Sequence, residues 1–295
     1  MADVLRSTGK ASATIYHALL PFTLCLKLRA VRYHRIFKRS PPTIMVKAIT
    51  FDLWDTVIHD NSDEGKRKAR GLASKQEARR ALALTVLQRS APLEEATLLA
   101  AYDTMEAAFN RVWHNQHVTW TVDERIAVLL DGLGRTLPDN DRSELVQGLE
   151  EMEVTVPPDP IEGMGEALAA LAGSYKLGVV SDAIYSPGRC LREWLQMHDL
   201  LQYFDGFAFS DEVGHSKPHR DVFASAASQL GVEIGDMVHV GDRDHNDIKG
   251  PHALGMKAVL FTATRDLDKD HTSADAICAR AADLPETIRR LADGA

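Results

Sequence analysis

Apolar positions follow two rhythms along this chain. The first is a short, dense run in which Ile44, Val46, Ala48, Ile49 and Phe51 are apolar or small, with β-branched residues among them. It breaks at a carboxylate, Asp52, and reads as a buried strand that ends at a sheet edge. The second rhythm is helical. Ala73 to Leu87 is rich in the good helix formers Ala, Leu, Arg, Glu and Gln. From Pro92 to about His114, Leu98, Tyr102, Met105, Phe109 and Val112 recur at helical spacing. Two further helices are expected over 123–133 and 139–152, the second capped by Asp139 and Asn140. Between the two rhythms lies a charged segment, His59 to Gly65, that reads as turn.

After Pro157-Pro158-Asp159-Pro160 the pattern alternates. Strands are expected at 176–181, 206–210, 237–241 and 257–261, and helices at 162–172, 187–197, 220–230, 248–254 and 283–292. Such alternation implies parallel strands joined by right-handed crossovers. The chain therefore reads as an α/β protein with a doubly wound parallel sheet, built from residues 45–60 and 156–295. Residues 61–155 form a helical bundle inserted after the first strand.

Composition narrows the setting. Three cysteines, Cys25, Cys190 and Cys278, show neither a disulfide framework nor a metal knuckle, which fits a reducing, cytoplasmic compartment. The net charge is −8. Residues 1–44 hold eight Lys and Arg against one acid, Asp3, so the rest is more acidic still. An acidic body argues against nucleic acid as a partner. The longest apolar run in the basic head, Ala18 to Leu26, contains Pro21 and is too short to span a bilayer. The head reads as a disordered or loosely helical extension, bounded by Pro41-Pro42, with Met45 a natural beginning. A transit peptide is the weaker reading.

Chemistry gathers where strands end. Asp52, Ser181-Asp182, Lys217 and Asp242 to Asp247 all lie at or just beyond strand ends, which meet at one edge of a doubly wound sheet. The set offers a nucleophilic carboxylate, a hydroxyl, a fixed cation and two more carboxylates. Oxygen ligands at this density suit Mg²⁺ with a phosphorylated small molecule.

Asp52-Leu-Trp-Asp-Thr56, Val179-Val-Ser181, Lys217-Pro218 and Gly241-Asp-Arg-Asp-His-Asn-Asp247 resemble, in order, motifs I to IV of the haloacid dehalogenase superfamily of hydrolases. The helical insertion resembles that family's C1-type cap, and the likeness covers about residues 45–290. The resemblance implies that Asp52 is the nucleophile and forms an aspartyl intermediate. It makes Thr56 the brace of the motif I loop, Ser181 a phosphate-binding hydroxyl and Lys217 the stabiliser of the nucleophile and transferring group. Metal ligation would fall to Asp52, Asp242, Asp247 and the main-chain carbonyl of Trp54. Asp182, Trp54 and, from the insertion, His114 and Trp120 are candidate substrate contacts; Trp120 reads equally as a core residue of the insertion.

One position departs from the pattern. Family phosphatases carry an acid–base Asp two residues after the nucleophile, where this chain has Trp54. Family dehalogenases have an aromatic residue there but lack the metal-binding Asp that Asp242 resembles. Three readings stay open: a Mg²⁺-dependent phosphatase, which motif IV favours; a metal-independent 2-haloacid dehalogenase; and an impaired member that binds a ligand or partner. His59 and Asp60 could replace the missing acid but read first as a solvated turn. His215, His239 and His245 lie close to the motifs without a helical ligand spacing.

Overall fold

The computed structural model describes residues 46–294. The basic head, with Ile44, Cys25 and the Met45 boundary, lies outside the described residues. The strands are β1 (Ala48–Phe51), β2 (Ile58–His59), β3 (Asp159–Pro160), β4 (Lys176–Ser181), β5 (Gly206–Phe209), β6 (Met237–Gly241), β7 (Lys257–Phe261) and β8 (Ala276–Cys278). Six of them form one parallel sheet in the order β5-β4-β1-β6-β7-β8. β2 and β3 make a separate antiparallel pair. The helices are α1 (Ser62–Ala69), α2 (Lys75–Ser90), α3 (Glu95–Gln116), α4 (Val122–Leu133), α5 (Asp139–Glu150), α6 (Met152–Thr155), α7 (Met164–Ala172), α8 (Gly188–Met197), α9 (Ser210–Val213), α10 (Arg220–Leu230), α11 (Gly250–Ala253) and α12 (Leu284–Asp293).

The expected strands and helices appear within a few residues of their predicted bounds. The central strands are apolar throughout because both their faces are covered, as parallel sheets require. Ile49, Phe51, Leu177, Val179, Val238 and Val240 pack on one side with residues of α7, α8 and α12. Ala48, Val180 and Ala208 face the other side, against Val222, Phe223, Ala226 and Leu230 of α10.

Helices α1 to α6 fill the stretch between β2 and β3. The apolar stripes of α2 to α5 form a core of their own, including Leu87, Leu98, Tyr102, Ile126, Leu129 and Leu145. Ser74 with Glu77, and Thr121 with Glu124, make reciprocal capping boxes that start α2 and α4.

Three departures from the sequence reading have physical causes. Ser62–Ala69 is helix, although the segment around it reads as turn. Its inward residues are Asp63 and Arg67, so no apolar stripe announces it, while Asp63 and Glu64 in the first turn and Lys66, Arg67 and Lys68 in the last suit the helix dipole. β8 is three residues long with Ile277 half exposed, too little pattern to read. The helix expected at 248–254 begins earlier, as a π-helical turn over Asp244–Lys249 that leads into α11. Among the described residues no helix is long and apolar enough to cross a membrane. Cys190 and Cys278 are buried and free.

Candidate active site

Register decides which groups meet. Phe51, the last residue of β1, lies level with Val179 of β4 and Val240 of β6. Asp52 is therefore level with Val180 and Gly241, one residue short of Ser181 and Asp242, so the three polar residues emerge at the same edge. The Asp52 amide still donates to the Val240 carbonyl at 2.9 Å, so the sheet itself holds the carboxylate in place.

Lys217 ties the cluster. Its Nζ lies 2.8 Å from Asp52 Oδ1 and 2.7 Å from Asp247 Oδ1, with all three side chains buried. Burial alone would discharge the ammonium, but Asp247 and Asp52 outweigh it and hold the Lys217 pKa above its ordinary range. Burial likewise opposes the charge on Asp247, yet Lys217 and a hydrogen bond from His239 hold its carboxyl well below the usual range. The second nitrogen of His239 pairs with Thr50 Oγ1 at 2.9 Å, which fixes the imidazole from behind.

The three motif carboxylates are not equivalent. Asp52 Oδ1 accepts from the Leu53 amide at 2.8 Å as well as facing Lys217. Asp247 takes Lys217 and His239 on Oδ1 and the Arg243 amide on Oδ2. Asp242 is buried, and neither of its oxygens has a hydrogen-bond partner among the described residues. Burial, then Asp52 and Asp247, push its pKa up to about 8. Oxygens of Asp52, Asp242 and Asp247 lie within 4.8 Å of one another. Among the described residues only the Arg243 and Arg265 guanidiniums approach Asp242, at 3.8 and 3.9 Å from Oδ2; a buried carboxylate without a hydrogen-bond partner beside two others is an all-oxygen donor set that would fit Mg²⁺. Asp242 has the free oxygens; Asp247 mainly anchors Lys217.

Gly241 makes this packing possible. A Cβ there would come within 2.3 Å of Asp247 Cγ. Gly241→Ala is expected to push Asp247 off Lys217 and to lower stability by about 1–3 kcal/mol, measured by urea unfolding. An unchanged midpoint would mean that Asp247 is free to move.

Other motif residues sit where the pattern implied. Thr56 and Ser181 are buried at the edge, each with a hydroxyl that lacks a hydrogen-bond partner among the described residues. Asp182 accepts from the Lys217 amide at 2.9 Å, and its main-chain carbonyl accepts from the Trp54 indole at 3.1 Å. The indole is thereby pinned across the site. Burial raises the Asp182 pKa to about 7, against about 4 for a free carboxyl. A folded-state pKa above the unfolded one means that the native state binds the extra proton, so stability falls as pH rises between the two values. Asp182→Asn keeps an acceptor for Lys217 and removes that penalty. Its melting temperature should gain on wild type from pH 4 to pH 7 and then level off; a difference that does not change with pH would contradict this.

A cavity of about 300 Å³ opens over the cluster. Asp52, Asp182 and Lys217 line its floor, and Trp54, Asp60, Trp113, Tyr185, Lys75 and Arg79 are among its walls. Two sequence candidates are corrected here. His114 is exposed and Trp120 packs on Phe109, with ring centres 6.1 Å apart; neither lines the cavity. Trp113, one residue from His114, does. A helix turns about 100° per residue, so adjacent positions face different ways, and the apolar pattern alone did not select between them. His59 points to solvent, but Asp60 is no solvated turn: it faces the cavity, and burial raises its pKa although Lys75 opposes the shift. Lys75 and Arg79 lie on α2, where charges read first as a solvated helix face, although an arginine such as Arg79 could also meet an anionic substrate. Lys75 is buried between Asp63 at 3.0 Å and Glu153 at 2.9 Å, and Arg79 lies 3.5 Å over the Tyr185 ring.

Residues 46–255 match the haloacid dehalogenase-like hydrolase family, and the chain belongs to that family. It is an enzyme of the hydrolase class. A glyceraldehyde 3-phosphate phosphatase of Methanothermobacter thermautotrophicus is 27% identical over 238 residues, covering 79% of this chain and 93% of that protein. One from Methanopyrus kandleri is 30% identical over 124 residues, 40% of this chain and 51% of the relative. Among solved structures, a 2-haloacid dehalogenase from Pseudomonas syringae pv. Tomato DC3000 shares the fold with a TM-score of 0.55 at 20% identity, over 84% of this chain and all of that one (100%).

Proposed function

We propose that the chain is a Mg²⁺-dependent phosphatase that transfers the phosphoryl group of a small phosphorylated molecule to Asp52 and then to water. The observation that carries this reading is the pair of buried Asp242 oxygens, without hydrogen-bond partners among the described residues, beside Asp52 and Asp247. A halide displacement has no use for a third carboxylate, whereas phosphoryl transfer needs a cation to offset the charges that converge. The relatives named as phosphatases support the same choice.

Asp52, Asp242 and the main-chain carbonyl of Trp54 would hold the ion, with Asp247 close by. When bound, Mg²⁺ neutralises charge on the phosphoryl oxygens and on the carboxylates. Lys217 and the Leu53 amide occupy Asp52 Oδ1, which leaves Oδ2 to attack phosphorus as the ester P–O bond breaks. Ser181 and Lys217 bind the phosphoryl oxygens, and Thr56 braces the loop. Water then attacks phosphorus of the aspartyl phosphate, releasing phosphate and restoring Asp52. Residues 61–155 act as a cap that closes the cavity and presents Trp113, Lys75 and Arg79 to the substrate. A cytoplasmic setting fits the free cysteines.

Trp54 cannot protonate the leaving oxygen, and Asp60 takes that role. It is a cavity-lining carboxyl that burial keeps protonated to higher pH than a free one. Asp60→Asn should slow hydrolysis of an alkyl phosphate by about 10²–10⁴, the usual worth of general acid catalysis, and barely affect an aryl phosphate, whose leaving group needs no proton. Equal losses on both substrates would remove Asp60 from the mechanism.

A further inference from the structure

The cations that line the active-site cavity are not equally engaged. Lys217 meets Asp52 and Asp247 at 2.8 and 2.7 Å, and Lys75 meets Asp63 and Glu153 at 3.0 and 2.9 Å. Arg243 is exposed and stands 3.8 Å from Asp242. Arg79 differs. Its side chain is only 14% exposed, yet its Nε has no hydrogen-bond partner among the described residues, and Glu153, the carboxylate it pairs with, stays at 3.6 Å. Both Glu153 oxygens are already taken, one by Lys75 and one by the Ser186 hydroxyl. A guanidinium carries five N–H donors and favours two parallel bonds to one planar anion. Arg79 therefore keeps donors to spare in a place where leaving them unmet is costly.

Packing holds this guanidinium in place. It lies 3.5 Å over the Tyr185 ring, whose hydroxyl pairs with that of Tyr102 at 3.0 Å. Arg125, which donates to the Ile184 carbonyl at 2.8 Å, lies 4.0 Å over the same ring. Tyr185 belongs to the loop after β4 but is gripped by residues of α2, α3 and α4. A cation fixed before its ligand arrives loses little freedom on binding. Arg79 and Tyr185 also line a second cavity, of about 450 Å³, whose other walls include Arg80, Asp103 and Asn110. Asp52 and Lys217 line the first cavity and not the second. The stacked pair thus stands on the side of the active-site cavity away from the nucleophile, where the far end of a leaving group would lie.

The chemistry at that end favours one kind of group. Glu153 also lines the cavity, so a second phosphate, with its higher charge, meets more repulsion there than a carboxylate does. A carboxylate is planar and matches the guanidinium fork. A cavity of about 300 Å³ is at the lower bound for small-molecule sites, which keeps the ester small. Given phosphoryl transfer at Asp52, as proposed above, we propose that Arg79 determines specificity: the substrate is a small phosphate ester whose leaving group ends in a carboxylate, which Arg79 binds through paired N–H bonds.

The test compares kcat/KM of the full chain in Mg²⁺ for 3-phosphonooxypropanoate against its primary amide, and for 4-phosphonooxybutanoate against its amide, with 4-nitrophenyl phosphate as a reference. Each pair shares its length and its scissile bond. The acid-to-amide ratio within one protein therefore reports on the far end alone, and a variant that folds poorly loses both rates together. For at least one pair the wild-type ratio should exceed that of Arg79→Gln by about 10–100-fold, the worth of charge-assisted bonds. Arg79→Lys, which keeps the charge and loses the fork, should fall between them. Equal ratios in wild type and Arg79→Gln, or a wild type that prefers the amides, overturn the proposal. If 4-nitrophenyl phosphate is still turned over in that case, phosphoryl transfer stands and only the role of Arg79 falls. If wild type turns over none of the esters, both fall.

Discussion

Asp52→Asn is expected to reduce turnover by a factor on the order of 10⁴–10⁶, the range found when one member of a catalytic unit is removed. The substitution preserves size and leaves an oxygen to accept from the Leu53 amide and face Lys217. What it removes is the attacking carboxylate. With Lys217 still paired to Asp247 at 2.7 Å, the fold should stand, so the loss should fall on kcat and not on the melting temperature. Residual activity within tenfold of wild type would mean that phosphorus is attacked directly by water, with Asp52 only a ligand. Mass spectrometry adds a second readout: a phosphoryl adduct trapped on wild type should be absent from the variant.

Lys217→Met should carry the largest cost in stability, about 3–5 kcal/mol, because it breaks a buried pair and leaves the opposite charges uncompensated. The residue is buried, and its ammonium is shared by Asp52 and Asp247, with Asp182 bonded to its amide. Removing the ammonium leaves three buried carboxylates, with Asp242 a fourth in the cluster. Urea unfolding in EDTA measures the loss. Adding Asp247→Asn to Lys217→Met should recover part of it, since the second change removes one of the orphaned charges, and residues in one network do not add independently. A loss under about 1 kcal/mol, in the range of exposed pairs, would mean that water already screens the site.

The sheet was legible because its strands are buried on both faces and end in polar residues, so a run such as Leu177 to Val180 closing on Ser181 marks both the strand and the site edge. Motif order then placed Asp52, Ser181, Lys217, Asp242 and Asp247 together; the register of β1, β4 and β6 brings Asp52, Ser181 and Asp242 to one edge, and Lys217 joins Asp247 to Asp52 there. The walls of the cavity were legible only in part. Asp60 could be named as a possible acid, but it and Arg79 read first as solvated charges, and Lys75 gave no signal at all; tertiary packing is what buries Lys75 and brings all three to the cavity. α1 escaped notice for the same reason: the face it buries is Asp63 and Arg67. Trp113 and His114 are neighbours on one helix, and selecting between them required knowing how α3 is rotated against the core.

The central claim is phosphoryl transfer that depends on a dication. The most direct measurement is phosphate release from an aryl phosphate by wild-type protein, with Mg²⁺ and then with EDTA, beside halide release from a 2-haloacid under the same two conditions. The account predicts phosphate release with Mg²⁺, its loss in EDTA, and no halide in either. Halide release that persists in EDTA, with no phosphate released in Mg²⁺, would contradict it and would make Trp54, not Asp242, the residue that defines the reaction.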